Sequence, residues 1–348
     1  MEKESAAAVF APFRVVAPNR VDLAGGTLDI YPLYLLLDGA MTINAAISIR
    51  SMVEVRPFRC ESARLRSENF NISVVAANTH GILPGGRLGL IARALRYFPA
   101  VSGLEIVVRN EAPVGSGIGA SSALLVALMA AMGRVTGTRN SWKETALAAM
   151  EIEASHLKGL AGRQDHVAAL RGGVQGIRFL PGRLDIRRFS PGGGHGRMLQ
   201  AHGILANSGI SHRSSDVNWR MIRGAIEGDT AVLRKFRGIA AAARDVWEAV
   251  SASDPDALAK AVSAEWKIRR TLAKEVSPGK IEALFGDRRF RRLVSGAKLC
   301  GAGNGGMFFG VLRDPADRTE AESIIRASGM SVMPFCLSGG LRFEELCA

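Results

Sequence analysis

The chain has 348 residues, 47% hydrophobic and 22% charged, a composition typical of one or two soluble globular domains. Its formal net charge of +13 favours anionic ligands, but the basic residues are scattered and form no basic arm, so we expect no nucleic-acid partner. The four cysteines lie far apart without a CxxC pair, which argues against a zinc site and a disulfide framework. Without a signal peptide or an apolar run of about 20 residues, we expect a cytoplasmic protein with no membrane partner, as a monomer or homodimer.

The first half of the chain alternates strand and helix patterns. A capping box, Ser141 with Glu144, marks the start of one helix. A stretch rich in glycine and proline at 181–197 is the best candidate boundary, so we predict domains at 1–190 and 191–348. The predicted elements are strands at 13–24, 42–57, 103–109 and 174–180, and helices at 87–98, 123–132, 141–158 and 164–170.

The second half is richer in helix. Residues 216–296 are predicted to be mostly helical, between strands at 202–207 and 307–312. A helix is predicted at 315–328, and segments 330–338 and 340–346 are predicted to form a closing β-pair. This order predicts the α+β class, with a sandwich in the second half.

A glycine loop, Glu111-Ala-Pro-Val-Gly-Ser-Gly-Ile-Gly-Ala-Ser-Ser122, lies between a predicted strand and a predicted helix. This arrangement offers backbone N–H groups to an anion, which predicts a phosphate site. The loop lacks the lysine of a P-loop. Gly115, Gly117 and Ala120 fit a dinucleotide fingerprint, but residues 133–140 are polar and turn-like where that fold needs a second strand, which disfavours NAD.

Three motifs in order resemble those of the galacto-, homoserine, mevalonate and phosphomevalonate (GHMP) kinases. They are Ala17-Pro-Asn-Arg-Val-Asp-Leu-Ala-Gly-Gly-Thr-Leu-Asp29, Pro113-Val-Gly-Ser-Gly-Ile-Gly-Ala-Ser-Ser-Ala123 and Lys298-Leu-Cys-Gly-Ala-Gly-Asn-Gly-Gly306. Two positions depart from the family pattern: Ala120 replaces a serine, and Asn304 stands where glycine is common.

The resemblance implies a two-domain α+β architecture, with an N-terminal domain like ribosomal protein S5 domain 2 and a ferredoxin-like α/β sandwich after it. It also implies ATP and Mg²⁺ as cofactors. Because Ala120 replaces the first serine of the family pattern, the serine pair lies one position later in this chain. This leaves open which hydroxyl binds the metal; we favour Ser121 as the ligand, with Ser122 as helix cap. The implied ATP-binding residues are Pro113, Gly115, Ser116, Gly117, Ile118, Gly119, Ala120, Ser121 and Ser122.

Phosphoryl transfer needs cationic side chains that contact the phosphates, oxygen ligands that bind Mg²⁺, and a group that orients the acceptor hydroxyl. The resemblance implies Glu153 as metal ligand, Asp165 as base or substrate orienter and Arg20 as the cation at the reaction centre. From the pattern alone, Glu153 could equally be a solvated helix residue, Asp165 an N-cap and Arg20 an ordinary edge-strand residue. Arg163 is a further candidate for a phosphate contact.

The first motif aligns with the sugar-kinase form and lacks the Glu-His pair of mevalonate-type members. The resemblance therefore implies a sugar or sugar-phosphate acceptor, as in heptose 7-phosphate kinase or fucose kinase, with Asp29 against its hydroxyls. A mevalonate-pathway enzyme and a catalytically silent ligand sensor on the same fold remain alternatives. The implied substrate residues are Asp29, Gly25, Gly26, Gly303, His212 and Arg213.

Overall fold

A computed structural model describes residues 10–58, 61–210, 219 and 222–346. The first sheet has eight strands among these residues, six of them in the order β12-β1-β2-β5-β3-β4. Strand β6 pairs with β2 and with β7, which extends the sheet at the far end of β2. The strands are β1 (Phe13–Ala24), β2 (Met41–Pro57), β3 (Ala63–Ser67), β4 (Ile72–Ala76), β5 (Leu104–Asn110), β6 (Val174–Leu180), β7 (Arg183–Phe189) and β12 (Arg342–Glu345).

A second, antiparallel sheet has the order β11-β8-β10-β9. Helices cover both sheets, so the α+β class is confirmed. The strands are β8 (Gly203–Asn207), β9 (Val294–Leu299), β10 (Met307–Leu312) and β11 (Ser331–Val332). The helices are α1 (Gly89–Leu95), α2 (Ala120–Thr136), α3 (Trp142–Leu157), α4 (Gln164–Arg171), α5 (Gly194–His202), α6 (Thr230–Ala252), α7 (Pro255–Arg269), α8 (Gly279–Gly286), α9 (Arg288–Leu293) and α10 (Arg318–Ala327). Residues 222–226 are also helical.

The long pair β1–β2 organises the molecule. Strand β1 is continuous, as predicted for 13–24, with a register shift between Pro18 and Asn19, because proline cannot donate to the ladder. The residues predicted as two strands at 42–57 form the single strand β2. Helix α2 is buried along one side of the sheet, while α6 packs on the other side through Val246.

The second half of the chain contacts the first sheet closely. Trp247 of α6 stacks on Phe189 of β7, with ring centroids 5.0 Å apart. Gly176 of β6 leaves room for this ring, since a Cβ there would lie 2.7 Å from it. Strand β12 also completes the first sheet by pairing with β1. The boundary at 190/191 stays a prediction, and the first sheet contains chain from both sides of it.

Two expectations differ from the structure. The closing β-pair is wrong: Ser331–Val332 pairs with β8, and Arg342–Glu345 pairs with β1 in the other sheet. The stretch at 181–197, chosen as the candidate boundary for its glycine and proline content, contains β7 and the start of α5. Throughout the described residues, no helix combines the length and apolar character needed to cross a membrane.

Candidate active site

The glycine loop connects β5 to α2. Its glycines 115, 117 and 119 all have left-handed backbone, with φ of 73°, 72° and 73°, a conformation that glycine adopts without strain. Gly119 is the N-cap of α2, and no side chain caps this helix. The expectation that Ser122 caps α2 is therefore wrong. Because no side chain caps this helix, the N–H groups of its first turn can bind an anion, whereas the Ser116 N–H already donates to the Pro113 carbonyl.

The third motif supports this loop by backbone contact. The Met307 N–H donates to the Ser116 carbonyl at 2.8 Å. A Cβ on Gly306 would lie 2.6 Å from the same carbonyl oxygen, and one on Gly301 would lie 3.2 Å from that of Gly117. The two glycine-rich segments are distant in sequence, and these backbone contacts hold each of them in position against the other.

Buried Arg20 and partly exposed Asp165 form an ion pair beside the glycine loop. Arg20 Nε donates to Asp165 Oδ1 at 2.8 Å, and Nη2 lies 2.6 Å from the same oxygen. Arg20 Nη1 donates to the Gly117 carbonyl at 2.7 Å. Arg20 is buried, so it is not an ordinary edge-strand residue. Asp165 lies in the first turn of α4, whose N-cap is Arg163, so Asp165 is not an N-cap.

The Glu153 carboxylate accepts a hydrogen bond from each of the two serines of the loop. Ser121 Oγ donates to Oε1 at 2.6 Å, and Ser122 Oγ donates to Oε2 at 2.7 Å. His166 Nε2 lies 3.1 Å from Oε2. Burial raises the pKa of Glu153, but His166 and the two hydroxyls outweigh it and lower the pKa to about 2. Glu153 is 7% exposed and is an ionised, buried carboxylate rather than a solvated helix residue.

Asp29 lies against the turn that precedes Asp165. Its Oδ2 accepts the Gln164 N–H at 3.0 Å, and a Cβ on Gly162 would come within 1.9 Å of the same oxygen. Burial, with a contribution from the charge of Asp165, raises the pKa of Asp29 to about 6 against the hydrogen bond from Gln164. The contact with Gln164 also satisfies an N–H at the start of α4, so Asp29 stabilises this helix end as well.

A buried charge cluster behind the first motif was missed from the sequence. Lys298 Nζ lies 2.7 Å from Asp22 Oδ2, and Arg269 Nη2 lies 2.7 Å from Glu265 Oε1; all four side chains have no exposed surface. Arg269 Nη2 also donates to the Gly26 carbonyl at 2.6 Å. Arg269 thereby fixes the loop that carries Gly25, Gly26 and Asp29. Lys298, the first residue of the third motif, is fully buried.

The remaining predicted residues lie at different distances from this centre. Gly303 packs against Val276, which a Cβ would approach to 2.7 Å. Ile118 has its side chain in the core and joins the site through its carbonyl, which accepts the Arg20 N–H. Pro113 and Ala120 belong to the two ends of the glycine loop. His212 and Arg213 lie outside the described residues.

The oxygen donors Ser121 and Glu153 suit Mg²⁺, which prefers few protein ligands together with water and substrate phosphates. No cluster of three or more His, Cys, Asp or Glu able to hold a metal occurs in the part of the chain described. The glycine loop, the ion pair and the carboxylates Glu153 and Asp29 therefore fit a phosphate-bearing ligand with a metal beside it.

Comparisons with known proteins agree with this geometry. Residues 88–173 match the GHMP kinases N terminal domain family. The chain is 26% identical to a mevalonate kinase of Aeropyrum pernix, over 95% of this chain and 98% of that protein. It is 28% identical to D-glycero-alpha-D-manno-heptose 7-phosphate kinase of Campylobacter jejuni, over 90% of this chain and 92% of that protein.

The fold is similar to that of a solved D-glycero-D-manno-heptose 1-phosphate kinase from Bacteriodes thetaiotaomicron. The TM-score is 0.77 at 20% sequence identity, with 97% of this chain and 100% of the other covered. The match extends over both sheets, so the two-domain architecture expected from the three motifs is confirmed.

Proposed function

We propose, from the similarity to the GHMP kinases and from the site geometry, that the chain is a kinase of this family and transfers the terminal phosphoryl group of ATP to a hydroxyl of a sugar or sugar phosphate. The observation that supports this most is the convergence of Asp165, Arg20 and the glycine loop at one point. The reaction needs a group on the acceptor hydroxyl, a cation and a phosphate site, and these residues supply one of each.

The glycine loop binds the nucleotide phosphates through its backbone N–H groups. Ser121 and Glu153 hold Mg²⁺, which supplies charge neutralisation on those phosphates when bound. Glu153 suits this role because it is held ionised, with a pKa of about 2. Ser122 holds its second oxygen in position by a hydrogen bond, and His166 Nε2 lies 3.1 Å from the same oxygen.

Asp165 orients the acceptor hydroxyl and receives its proton. One carboxylate oxygen is occupied by Arg20, and the other faces Gly119, where a Cβ would approach it to 3.0 Å. Arg20 bridges Asp165 and the Gly117 carbonyl, so it fixes the distance between the acceptor and the phosphate loop.

Asp29 supports a polyol acceptor. Its carboxylate contacts the turn that carries Asp165 through the Gln164 N–H. A carboxylate can accept hydrogen bonds from two neighbouring hydroxyls. A mevalonate-pathway activity is the second candidate, since a relative similar over almost its whole length is a mevalonate kinase. The cytoplasmic location and the lack of nucleic-acid or membrane partners, expected from the sequence, remain part of the proposal.

A coupled ADP-release assay tests the proposal, with hexoses, heptoses, their phosphates and mevalonate as acceptors. We expect Mg²⁺-dependent ADP formation with one sugar or sugar phosphate. ADP formation with mevalonate alone would support the second candidate. Nucleotide binding by calorimetry, without turnover of any acceptor, would instead identify a ligand sensor.

A further inference from the structure

Most cations around the site are neutralised by an acidic partner. Arg20 is paired with Asp165. Lys298 is paired with Asp22, and Arg269 with Glu265. None of these three has a charge to spare for a further anion on the acceptor.

Arg163 is different. It forms no ion pair among residues 10–58, 61–210, 219 and 222–346, and its buried Nε has no hydrogen-bond partner there. Its Nη2 donates to the Tyr34 hydroxyl across 3.4 Å, a long contact. The next residue, Gln164, is 4% exposed and its side-chain oxygen also lacks a partner. Among the described residues, one turn thus carries a guanidinium without an ion-pair partner and a buried amide oxygen without a hydrogen bond.

The position of Arg163 points to the acceptor rather than to the nucleotide. The residues on its two sides both contact Asp29: Gly162 by close packing and Gln164 by its N–H. The glycine loop is contacted instead by Arg20, through Gly117, and approached by Asp165, through Gly119. Arg163 thus lies on the turn that contacts Asp29, on the side proposed for the acceptor.

We propose that Arg163 binds a phosphomonoester already present on the acceptor, so that the substrate is a sugar phosphate. This inference rests on the proposed kinase function. A guanidinium is suited to this because its planar N–H groups pair with two phosphate oxygens at once. The Tyr34 hydroxyl, already beside Nη2, supplies a further hydrogen bond to the same group.

Steady-state kinetics of Arg163→Gln test the inference with matched acceptors, a hexose with its 6-phosphate and a heptose with its 7-phosphate. Charge-assisted hydrogen bonds of this kind correspond to about 10- to 100-fold in affinity. We expect kcat/KM to fall by that factor for the phosphorylated acceptor, and by less than about threefold for the unphosphorylated one and for ATP. Arg171→Gln, an exposed arginine at the other end of α4, is the control and leaves both values unchanged.

Several results would overturn the inference. An equal loss on both members of an acceptor pair would assign Arg163 a structural role. A raised KM for ATP in Arg163→Gln would show that Arg163 binds the nucleotide. Turnover of mevalonate alone, dependent on Arg163, would show that Arg163 binds a carboxylate of the acceptor and not a phosphate. If no acceptor is turned over, calorimetry with the heptose 7-phosphate separates the two claims. Binding lost in Arg163→Gln supports this inference while the kinase proposal fails, and equal binding by both proteins contradicts it.

Discussion

Arg20 holds a single oxygen of Asp165 with two of its nitrogens, at 2.8 Å from Nε and 2.6 Å from Nη2. The other carboxylate oxygen accepts no hydrogen bond from the described residues and lies on the side of Gly119. Asp165 is thus fixed in orientation and still has one oxygen available for a hydroxyl. This division of roles is the geometric basis of the proposed transfer.

Asp165→Asn is expected to reduce kcat by about 10² to 10⁴, the range for loss of a positioned proton acceptor. The amide keeps the shape of the side chain but cannot receive the proton of the acceptor. Single-turnover and steady-state rates measure the effect, and Asp185→Asn, on the exposed face of β7, is the control. A rate within about threefold of the parent would remove Asp165 from the mechanism.

Ser121→Ala is expected to raise the Mg²⁺ concentration for half-maximal turnover by about tenfold, the lower end of the range for perturbed metal sites. Ser122→Ala is expected to lower the free energy of unfolding by about 1–2 kcal/mol, since a buried hydrogen bond to a charged carboxylate is lost. Mg²⁺ titrations and chemical denaturation of both variants separate the two roles. If only Ser122→Ala raises the Mg²⁺ concentration for half-maximal turnover, Ser122 and not Ser121 is the metal ligand.

Gly306→Ala is expected to impair ATP use, because its Cβ would lie 2.6 Å from the Ser116 carbonyl and displace the glycine loop. We expect a loss of about tenfold or more in kcat/KM for ATP, since small displacements of reacting groups cost up to about 10². Gly182→Ala is a matched control: its φ is +73°, against +72° for Gly306, and no atom lies within 4 Å of the new Cβ. Both variants carry similar backbone strain, so equal kinetics in the two would refute the loop contact.

Asp29→Asn is expected to change the pH dependence of stability. The pKa of Asp29 is raised from 3.8 to about 6 by burial, so the folded state binds its proton more tightly than the unfolded state. The protonated Asp29 carboxyl therefore contributes to the free energy of unfolding below about pH 4, and this contribution is lost as the pH rises through about 6. Asparagine does not ionise, so between pH 4 and pH 7 the variant should gain roughly 2–3 kcal/mol over the parent.

Denaturant unfolding of both proteins at several pH values measures this difference. The same variant should lose turnover with a sugar acceptor, because the group proposed to accept its hydroxyl protons is gone. A stability difference that does not vary with pH would show that Asp29 is not held in a desolvated state.

Arg269→Met is expected to lower the free energy of unfolding by about 3–5 kcal/mol, because it leaves the Glu265 carboxylate buried without its main partner. The neighbouring Arg270 is 47% exposed and pairs with Glu282. Arg270→Met should therefore cost about 0–1 kcal/mol. Thermal or denaturant unfolding of the two variants compares a buried and an exposed pair one residue apart, and equal losses would contradict the cluster.

Strands within short apolar runs were predictable from the sequence. Val174–Leu180 and Met307–Leu312 match their predictions because glycine pairs bound each run. The hairpin of β3 and β4 was not predicted, although Arg64 and Arg66 alternate with buried residues in the period-2 pattern of a strand. The closing pair failed because pairing between neighbouring strands is only a tendency, and these two segments join different sheets.

For the site, the three motifs contain the residues of the loop, Arg20 and Asp29, and the family resemblance they carry implied Glu153 and Asp165, which lie outside them. The partners that hold them could not be found in the same way. Arg269 is more than 240 positions from Gly26, in an ordinary amphipathic helix, and nothing in its local sequence indicates burial. The unpaired state of Arg163 likewise follows only from the three-dimensional positions of the other charges.

The most direct test of the proposed function is ³¹P NMR of the protein incubated with ATP, Mg²⁺ and the sugar or sugar phosphate that the ADP assay selects. The account predicts that the γ-phosphate signal of ATP falls while a new sugar phosphate signal rises in equal amount, and that neither changes with Asp165→Asn. Retention of the full γ-phosphate signal in the presence of bound ATP, or its appearance as inorganic phosphate alone, would contradict it.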